Sequence, residues 1–178
     1  MVESPALNEL VELARAGDEA AFEAIMRDRT DAMYRLSLAI TGNETDAADA
    51  FQEALVGAWR HLPGLRETER FDAWLNRIVV NSCRMTVRSR SRRRVHEIAF
   101  DGIDHAASPD RTADVDLLRL ALRRLTPDRR EILALHYFED RPLADIAEIL
   151  AIPTGTAKSR LFHARAALVR ALAEEDRR

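Results

Sequence analysis

The chain has 178 residues, 47% of them apolar and 32% charged, a length that permits one domain or two small ones. The longest apolar runs, such as Ile78 to Val80, are too short to cross a membrane, and we expect no secretory leader. The single cysteine, Cys83, excludes an internal disulfide framework and a cysteine-rich zinc site. With only 6 glycines and 6 prolines, the composition favours an all-helical protein, which we expect in the cytoplasm.

The net charge of −3 conceals an uneven distribution along the chain. Residues 1–76 carry −8, whereas residues 77–94 carry +7 from seven arginines and no acid. Residues 95–113 then carry −3 and residues 114–178 carry +1. Clustered arginines gain affinity for phosphates by releasing condensed counterions. The arginine block therefore indicates either polyanion binding or an ordinary solvated helix end.

Apolar residues recur at helical spacing through the first half of the chain. The pattern predicts helices over about residues 7–16, 22–26, 33–40, 44–61 and 70–93. Gly42 suits the end of one helix, and the polar residue Asn43 suits the start of the next. The last of these helices is apolar in its first part and almost wholly basic in its last part. We expect such a helix to bury its N-terminal part and to expose its arginine-rich C-terminal part.

Residues 95–113 lose this periodicity and are acidic and rich in small side chains, which is typical of a linker. We therefore predict an all-α fold of two small helical domains, residues 1–94 and 114–178, joined by a flexible acidic linker. Further helices are predicted over about residues 117–125, 127–138, 142–150 and 154–173. Thr126 is predicted to cap one of them, and Pro142 to be the first residue of another.

Residues 143–167 have the spacing of a helix-turn-helix, with a three-residue turn at 151–153. The second helix opens with polar and basic side chains, as a recognition helix does, and its N-terminus can hold phosphates. We expect four side chains nearer the bases: Lys158, Ser159, Phe162 and His163. Arg160 or Arg165 is expected nearer the DNA backbone or in an ion pair. A helical hairpin with a polar surface is the alternative.

This second half resembles region 4 of bacterial sigma factors, specifically the extracytoplasmic-function (ECF) group. The resemblance is carried by L-T-P-D-R-R-E-I-L-A-L-H-Y-F-E (125–139), I-A-E-I-L (146–150) and I-P-x-G-T-x-K-S-R-L (152–161). The first half is similar to region 2 of the same family, through D-A-x-D-x-x-Q-E-x-x-x-x-A-W (46–59) and F-x-A-W-L-x-R-I-x-x-N (71–81). The two similarities occur in the family's order, on either side of the predicted linker.

The resemblance assigns roles to particular side chains. It implies that core RNA polymerase is bound by Asp46, Asp49, Gln52 and Glu53. It implies that the minus-ten element is bound by one polar stripe made of Asn76, Arg77, Asn81, Arg84 and Arg88, since asparagine can read adenine and arginine can hold guanine or phosphate. It implies that the minus-thirty-five element is bound by Thr154, Thr156, Lys158, Ser159, Arg160, Phe162, His163 and Arg165.

The implied function is that of an alternative sigma factor, which binds core polymerase, recognises both promoter elements and promotes DNA melting. The implied partners are core RNA polymerase, promoter DNA and an anti-sigma factor, and no cofactor or metal is expected. In the linker, Glu97, Asp101, Asp104 and Asp110 are either mimics of nucleic-acid phosphates or part of a solvated tether. Met85, Ala151 and His163 are among the residues that depart from the family pattern.

Two other classes of protein are alternatives. An enzyme is disfavoured because the histidines and Cys83 lack metal-ligand spacing, and because the chain has no glycine-rich phosphate loop. A stand-alone helix-turn-helix regulator would bind duplex DNA by itself, usually as a dimer. Such a regulator would need neither the acidic segment 46–59 nor the segment 71–94, so these two segments argue against it.

Overall fold

The computed structural model describes residues 5–96 and 113–177, and within these ranges the regular elements are all helical. The elements are α1 (Pro5–Arg15), α2 (Glu19–Thr41), α3 (Glu44–His61), two 3-10 turns (Leu62–Gly64 and Thr68–Arg70), α4 (Phe71–His96), α5 (Ala113–Arg123), α6 (Pro127–Tyr137), α7 (Leu143–Leu150) and α8 (Thr154–Glu175). The all-α prediction is confirmed. The predicted linker lies outside the described residues, apart from its ends, and so do its four acids.

A single long helix, α2, replaces the two helices predicted over 22–26 and 33–40, so that division was wrong. The residues between the two apolar groups are mostly polar, but none of them is a strong helix breaker. In the structure they stay helical, and Thr30 Oγ donates to the Met26 carbonyl at 2.8 Å. Arg29 in the same stretch pairs with Asp72 of α4 at 2.9 Å. The polar stretch is therefore a surface of one helix.

The helix ends agree with the sequence at one junction and disagree at two. Gly42 ends α2 in the left-handed region with φ of 80°, and the Asn43 side chain accepts from the Asp46 amide at 2.8 Å, as predicted. Thr126 makes no side-chain cap, and Pro142 precedes α7 instead of being its first residue, so these two predictions were wrong. At both of those ends the chain enters the helix from extended backbone.

The helices form two groups that pack against each other. In the first group α2, α3 and α4 pack against one another, and a side chain at Gly57 of α3 would meet the Ile78 side chain of α4 at 3.3 Å. In the second group α8 packs on α5, α6 and α7. Helix α2 also contacts α6, and α4 contacts α7, so the buried apolar side chains of both groups form one continuous core. The sequence predicted two domains but not their contact.

The C-terminal end of α2 is capped by arginines of the second group. The last carbonyls of a helix lack partners within it and carry partial negative charge. Arg130 of α6, which is buried, donates to the Ile40 carbonyl at 2.6 Å and to the Thr41 carbonyl at 3.3 Å. Arg123 donates to the Gly42 carbonyl at 2.8 Å. A Cβ at Gly42 would lie 3.4 Å from the Arg130 guanidinium, so this glycine also leaves room for the cap.

Replacing Ala151 with glycine is expected to stabilise the protein. Ala151 forms the helix-turn-helix corner with φ of 55° and ψ of 48°, a conformation that costs an L-residue about 1–2 kcal/mol. Glycine removes this strain but increases the entropy of the unfolded chain, which leaves a gain of about 0.5–1 kcal/mol. We expect Tm in thermal unfolding to rise by about 2–4 °C per kcal/mol. The control Ala144→Gly, on the exposed side of α7, should lower Tm, and a fall in both variants would contradict the strain at Ala151.

Candidate nucleic-acid and polymerase interface

The five residues of the predicted minus-ten stripe fall into two sets on α4, one exposed and one covered by other helices. Arg77, Asn81 and Arg88 are exposed and follow one another at spacings of four and seven residues, which places them on one side of the helix. Met85, with 69% of its surface exposed, lies on the same side. We call these four residues the exposed row. Its positive charge and its asparagine suit contact with DNA phosphates and base edges.

The other two predicted side chains, Asn76 and Arg84, point at the second group of helices. Arg84 donates from Nε and Nη2 to the two carboxylate oxygens of Glu131 on α6, at 2.9 and 2.8 Å. Glu131 is fully buried, and its hydrogen bonds raise the pKa of Arg84. Asn76 is 5% exposed and donates to Glu139 at 3.3 Å. We call Asn76 and Arg84 the covered row.

The carboxyl group of Glu139 is expected to make the stability of the protein depend on pH. Burial raises its pKa, and the effect is only partly offset by the hydrogen bond from Asn76 and the charges of Arg141 and Arg35. A carboxyl whose pKa is raised on folding adds stability as pH falls through the folded pKa. The wild-type protein should therefore gain stability relative to Glu139→Gln between about pH 7 and about pH 4. Asp72 also faces this carboxyl and raises its pKa further.

Urea unfolding at a series of pH values measures this difference directly. The matched change Glu23→Gln, on the exposed surface of α2, is the control for removing one carboxylate. For each variant, the free energy of unfolding is subtracted from that of the wild-type protein. If this difference depended on pH equally for Glu139→Gln and Glu23→Gln, the effect would not come from the burial of Glu139.

The predicted polymerase-binding residues lie near the start and middle of α3. Asp49, Gln52 and Glu53 are exposed. Asp46 is 8% exposed, and its carboxylate accepts from Arg90 of α4 and from Asn43, at 2.8 and 2.7 Å. The structure therefore leaves three of the four side chains open to a partner, while Asp46 joins α3 to the arginine-rich end of α4.

Helix α8 presents the predicted minus-thirty-five residues at the surface. Thr154, Thr156, Lys158, Ser159, Phe162, His163 and Arg165 are all exposed. Lys158 and Ser159 lie about one helical turn before Phe162 and His163, so the four share one side of the helix. The Phe162 side chain is 68% exposed, and its ring centroid lies 5.4 Å from that of His163.

Two of the predicted DNA-binding side chains of α8, Arg160 and Arg165, contact α6. Arg160 lies 4.0 Å from the carboxylate of Asp128, the ion pair that the sequence offered as one alternative. Arg165 lies over the Tyr137 ring, 5.4 Å from its centroid, and its Nη2 is 3.0 Å from Nε2 of His136. These contacts hold α8 against α6, while the side of α8 that carries Lys158 and Phe162 stays exposed.

The described residues lack a metal-binding cluster and a membrane-spanning helix. They contain no group of three or more histidine, cysteine, aspartate or glutamate side chains that could hold a metal ion. In residues 5–96 and 113–177 no helix is both long and apolar enough to cross a membrane. Cys83 is buried in α4, where burial raises the pKa of its thiol to about 12. Such a thiol is neutral and shielded at physiological pH.

Sequence reasoning missed Arg130, Glu131 and Glu139, which make several of the polar contacts between the two groups of helices. One signal was present for Glu131, because it lies four residues before Leu135 and next to Ile132, on the apolar side of α6. A glutamate on an apolar side requires a buried partner. The sequence contains no local sign that this partner is Arg84, which is 47 residues away.

Comparisons with known proteins match both groups of helices. The family described as Sigma-70 region 2 matches residues 25–93, and the one described as Sigma-70, region 4 matches residues 116–168. The ECF RNA polymerase sigma factor SigM of Mycobacterium tuberculosis is 34% identical over 168 residues, which cover 92% of this chain and 83% of SigM. The RNA polymerase sigma-H factor of Pseudomonas aeruginosa is 31% identical over 178 residues, covering 92% of each chain.

A solved structure shows the same fold. The sigma factor RpoE from Bartonella quintana, in complex with the anti-sigma factor NepR, has a TM-score of 0.74 to this chain. The two are 23% identical, and the match covers 85% of this chain and 96% of RpoE.

The two matched regions define a protein built of a region 2 domain followed by a region 4 domain. The chain belongs to the ECF family of RNA polymerase sigma factors. It is thus a DNA-binding transcription factor and not an enzyme, and it directs RNA polymerase to promoters.

Proposed function

We propose that the exposed row of α4 contacts the single-stranded minus-ten element during melting, and that the covered row joins it when the two domains separate. The observation that carries this assignment is the charge of the segment 77–94, which holds seven arginines and no acid. The exposed row lies on the side of that helix opposite the buried apolar residues Leu75, Val79 and Cys83. Arginine neutralises phosphates, and Asn81 can pair with an adenine edge.

For core polymerase, the proposed surface is the exposed side of α3. Asp49 and Glu53 lie four residues apart with Gln52 beside them, so a basic partner meets both carboxylates on one side of the helix. Asp46 lies one turn earlier and is engaged by Arg90. A partner that displaced Arg90 would bind this fourth side chain as well and would free an arginine near the DNA-binding end of α4.

The proposed minus-thirty-five surface is the exposed side of α8 around Lys158, Ser159, Phe162 and His163. Helix α8 follows a turn with helix-turn-helix geometry, in which the Ile152 amide donates to the Ala147 carbonyl at 2.9 Å. No side chain caps the amides at its N-terminus, so they are available to a backbone phosphate. Thr154 and Thr156 in the first turns can add hydroxyl contacts to the backbone.

An anti-sigma factor is a further proposed partner, supported by the likeness to RpoE, which was solved with NepR. The cytoplasm is the proposed location, because bacterial RNA polymerase and promoter DNA are found there.

These assignments are tested by run-off transcription on a library of promoters. Purified core polymerase is assayed with and without this protein. Initiation that depends on the protein and on promoter sequence is the expected result, and it also identifies the promoter elements. Base changes in the minus-ten element should then be compensated only by changes in α4, and changes in the minus-thirty-five element only by changes in α8. If the chain failed to initiate or to co-elute with core polymerase and instead shifted duplex DNA alone, the stand-alone regulator would replace these roles.

A further inference from the structure

Two ring side chains at the C-terminal end of α6 hold Arg165 of α8. The Arg165 guanidinium lies over the Tyr137 ring, 5.4 Å from its centroid, and its Nη2 is 3.0 Å from Nε2 of His136. The His136 ring packs edge-on against the Tyr137 ring, with the two centroids 4.9 Å apart. We call Tyr137 and His136 the arginine cradle. The cradle orders a long side chain that otherwise samples many rotamers.

The polar contacts of His136 agree with one neutral tautomer. The Arg141 backbone carbonyl lies 3.4 Å from Nδ1 of His136 and can only accept, so Nδ1 carries the ring hydrogen. Nε2 is then an acceptor, and it fits Arg165 Nη2, because a guanidinium nitrogen can only donate. His136 therefore binds the Arg165 guanidinium as a neutral acceptor and does not repel its charge.

The cradle leaves most of the Arg165 guanidinium free for a ligand. Stacking on the Tyr137 ring uses the face of the planar guanidinium, whereas its N–H donors all lie in its plane. His136 accepts from one nitrogen, and the Arg165 side chain is exposed. The free edge of the guanidinium can therefore present parallel donors to a phosphate, which accepts them bidentately.

Arg165 also lies at one edge of the proposed minus-thirty-five surface. It follows Lys158 by seven residues, so the two cations lie on the same side of α8, about 10 Å apart along the helix axis. The first turns of a recognition helix contact base edges, and contacts to phosphates fix its orientation on the duplex. A position two turns beyond Lys158 suits a contact with a backbone phosphate.

We propose that Tyr137 and His136 are positioning residues for promoter binding, which hold Arg165 ready to bind a backbone phosphate of the minus-thirty-five element. This inference rests on the proposed minus-thirty-five role of α8, and it extends that surface to the end of α6. A side chain that is ordered before binding loses less entropy when it binds. The cradle therefore raises the affinity for duplex DNA but adds no base preference, since phosphate contacts carry no sequence information directly.

The test measures binding of duplex DNA by the full-length chain in complex with purified core polymerase. The probe is a labelled duplex that carries only the minus-thirty-five element found by run-off transcription, and its anisotropy is followed at several salt concentrations. Tyr137→Ala removes the ring under the guanidinium, His136→Leu removes the acceptor, and Arg165→Ala removes the guanidinium itself. Tyr137 is 57% exposed, so its replacement should leave the fold intact.

Loss of the cradle should weaken binding by about 2- to 12-fold, which is the cost of ordering one long side chain on binding. Tyr137→Ala and His136→Leu should leave the salt dependence unchanged, because Arg165 still reaches the phosphate. Arg165→Ala should weaken binding at least as much and should also reduce the salt dependence by about 0.9 for the phosphate that is no longer neutralised. In the Arg165→Ala background, Tyr137→Ala should have no further effect.

Conservative variants should restore binding. Tyr137→Phe keeps the ring, and His136→Gln supplies another acceptor, so both should bind the duplex like the wild-type chain. Phe138→Ala is the matched control for the loss of an aromatic side chain, since Phe138 follows Tyr137 and is 52% exposed. Arg27→Ala, at an exposed position of α2, is the control for the loss of an arginine. Neither control should weaken binding.

Three results would overturn the proposal. If Tyr137→Ala binds as tightly as Phe138→Ala, the cradle does not prepare Arg165 for DNA. Tighter binding by Tyr137→Ala means that the cradle keeps Arg165 away from the DNA. An equal loss from Tyr137→Ala with and without Arg165 means that Tyr137 acts through the fold.

Failure of the proposed function gives a different result. If Lys158→Ala with Phe162→Ala leaves binding of this duplex unchanged, the minus-thirty-five role of α8 fails, and the role of the cradle falls with it. If that double variant loses binding while Arg165→Ala keeps it, the role of α8 stands and only the role of the cradle is overturned.

Discussion

Replacing Arg84 with methionine is expected to lower the free energy of unfolding by about 3–5 kcal/mol, because the buried carboxylate of Glu131 then loses its partner charge. Arg84 supplies both of the hydrogen bonds that this carboxylate accepts from side chains. Methionine keeps most of the apolar stem, so the loss reports the missing guanidinium and not a large cavity. Urea unfolding followed by far-UV circular dichroism measures the change.

A second variant separates the ion pair from packing. Replacing both partners, as Arg84→Met with Glu131→Leu, removes the unpaired charge and should recover most of the loss, since buried ion pairs are often matched by apolar residues of similar volume. Arg27→Met, at an exposed position of α2, is the control for loss of an arginine. A loss for Arg84→Met no larger than that for Arg27→Met would contradict the burial of Glu131 against Arg84.

Replacing Asn81 with alanine is expected to reduce promoter-specific initiation by about 5- to 150-fold, the range that corresponds to removing hydrogen bonds to one base edge worth about 1–3 kcal/mol. Arg88→Ala should weaken DNA binding at every promoter. It should also reduce the dependence of the binding constant on salt by about 0.7 for each phosphate of the single strand that the protein no longer neutralises. Run-off transcription and anisotropy at several salt concentrations measure the two effects.

These two substitutions leave the fold largely intact, because both side chains are exposed and make none of the contacts that join the domains. Tm should therefore match that of the wild-type protein. Arg27→Ala is again the matched control, since it removes one exposed arginine outside α4. The proposed role of the exposed row would be contradicted if Asn81→Ala and Arg88→Ala initiated transcription as well as Arg27→Ala.

Most of the helices could be predicted because their signals are local. Gly42 and Asn43 mark the junction of α2 and α3 through the backbone conformation that each favours. The prediction of two helices in place of α2 failed because the partner of its polar middle part, such as Asp72 for Arg29, is distant in the sequence. The predictions that the Thr126 side chain caps α6 and that Pro142 is the first residue of α7 failed because residue preference is only a statistical guide to the geometry of a helix end.

For the candidate site, the sequence predicts which residues share a side of one helix but not which side another domain covers. The sequence predicts that Lys158, Ser159, Phe162 and His163 lie nearer the bases, and in the structure all four side chains are exposed. The same reasoning grouped Asn76 and Arg84 with the exposed row, because all five predicted side chains of α4 are polar. Periodicity places side chains on sides of a helix, but it does not tell which of two polar sides another domain covers.

The sequence by itself determined the helical fold, the cationic segment of α4, the helix-turn-helix and the membership of the family, because these depend on residue type and on spacings within a few turns. Only the tertiary structure decided that Arg130 caps α2, that Glu131 pairs with Arg84, and that region 4 covers part of the proposed minus-ten surface. Arg130 and Glu131 meet partners 90 and 47 residues away. Contacts at such distances are selected by the fit of two folded surfaces, since a buried charge is stable only where the opposite surface supplies its partner.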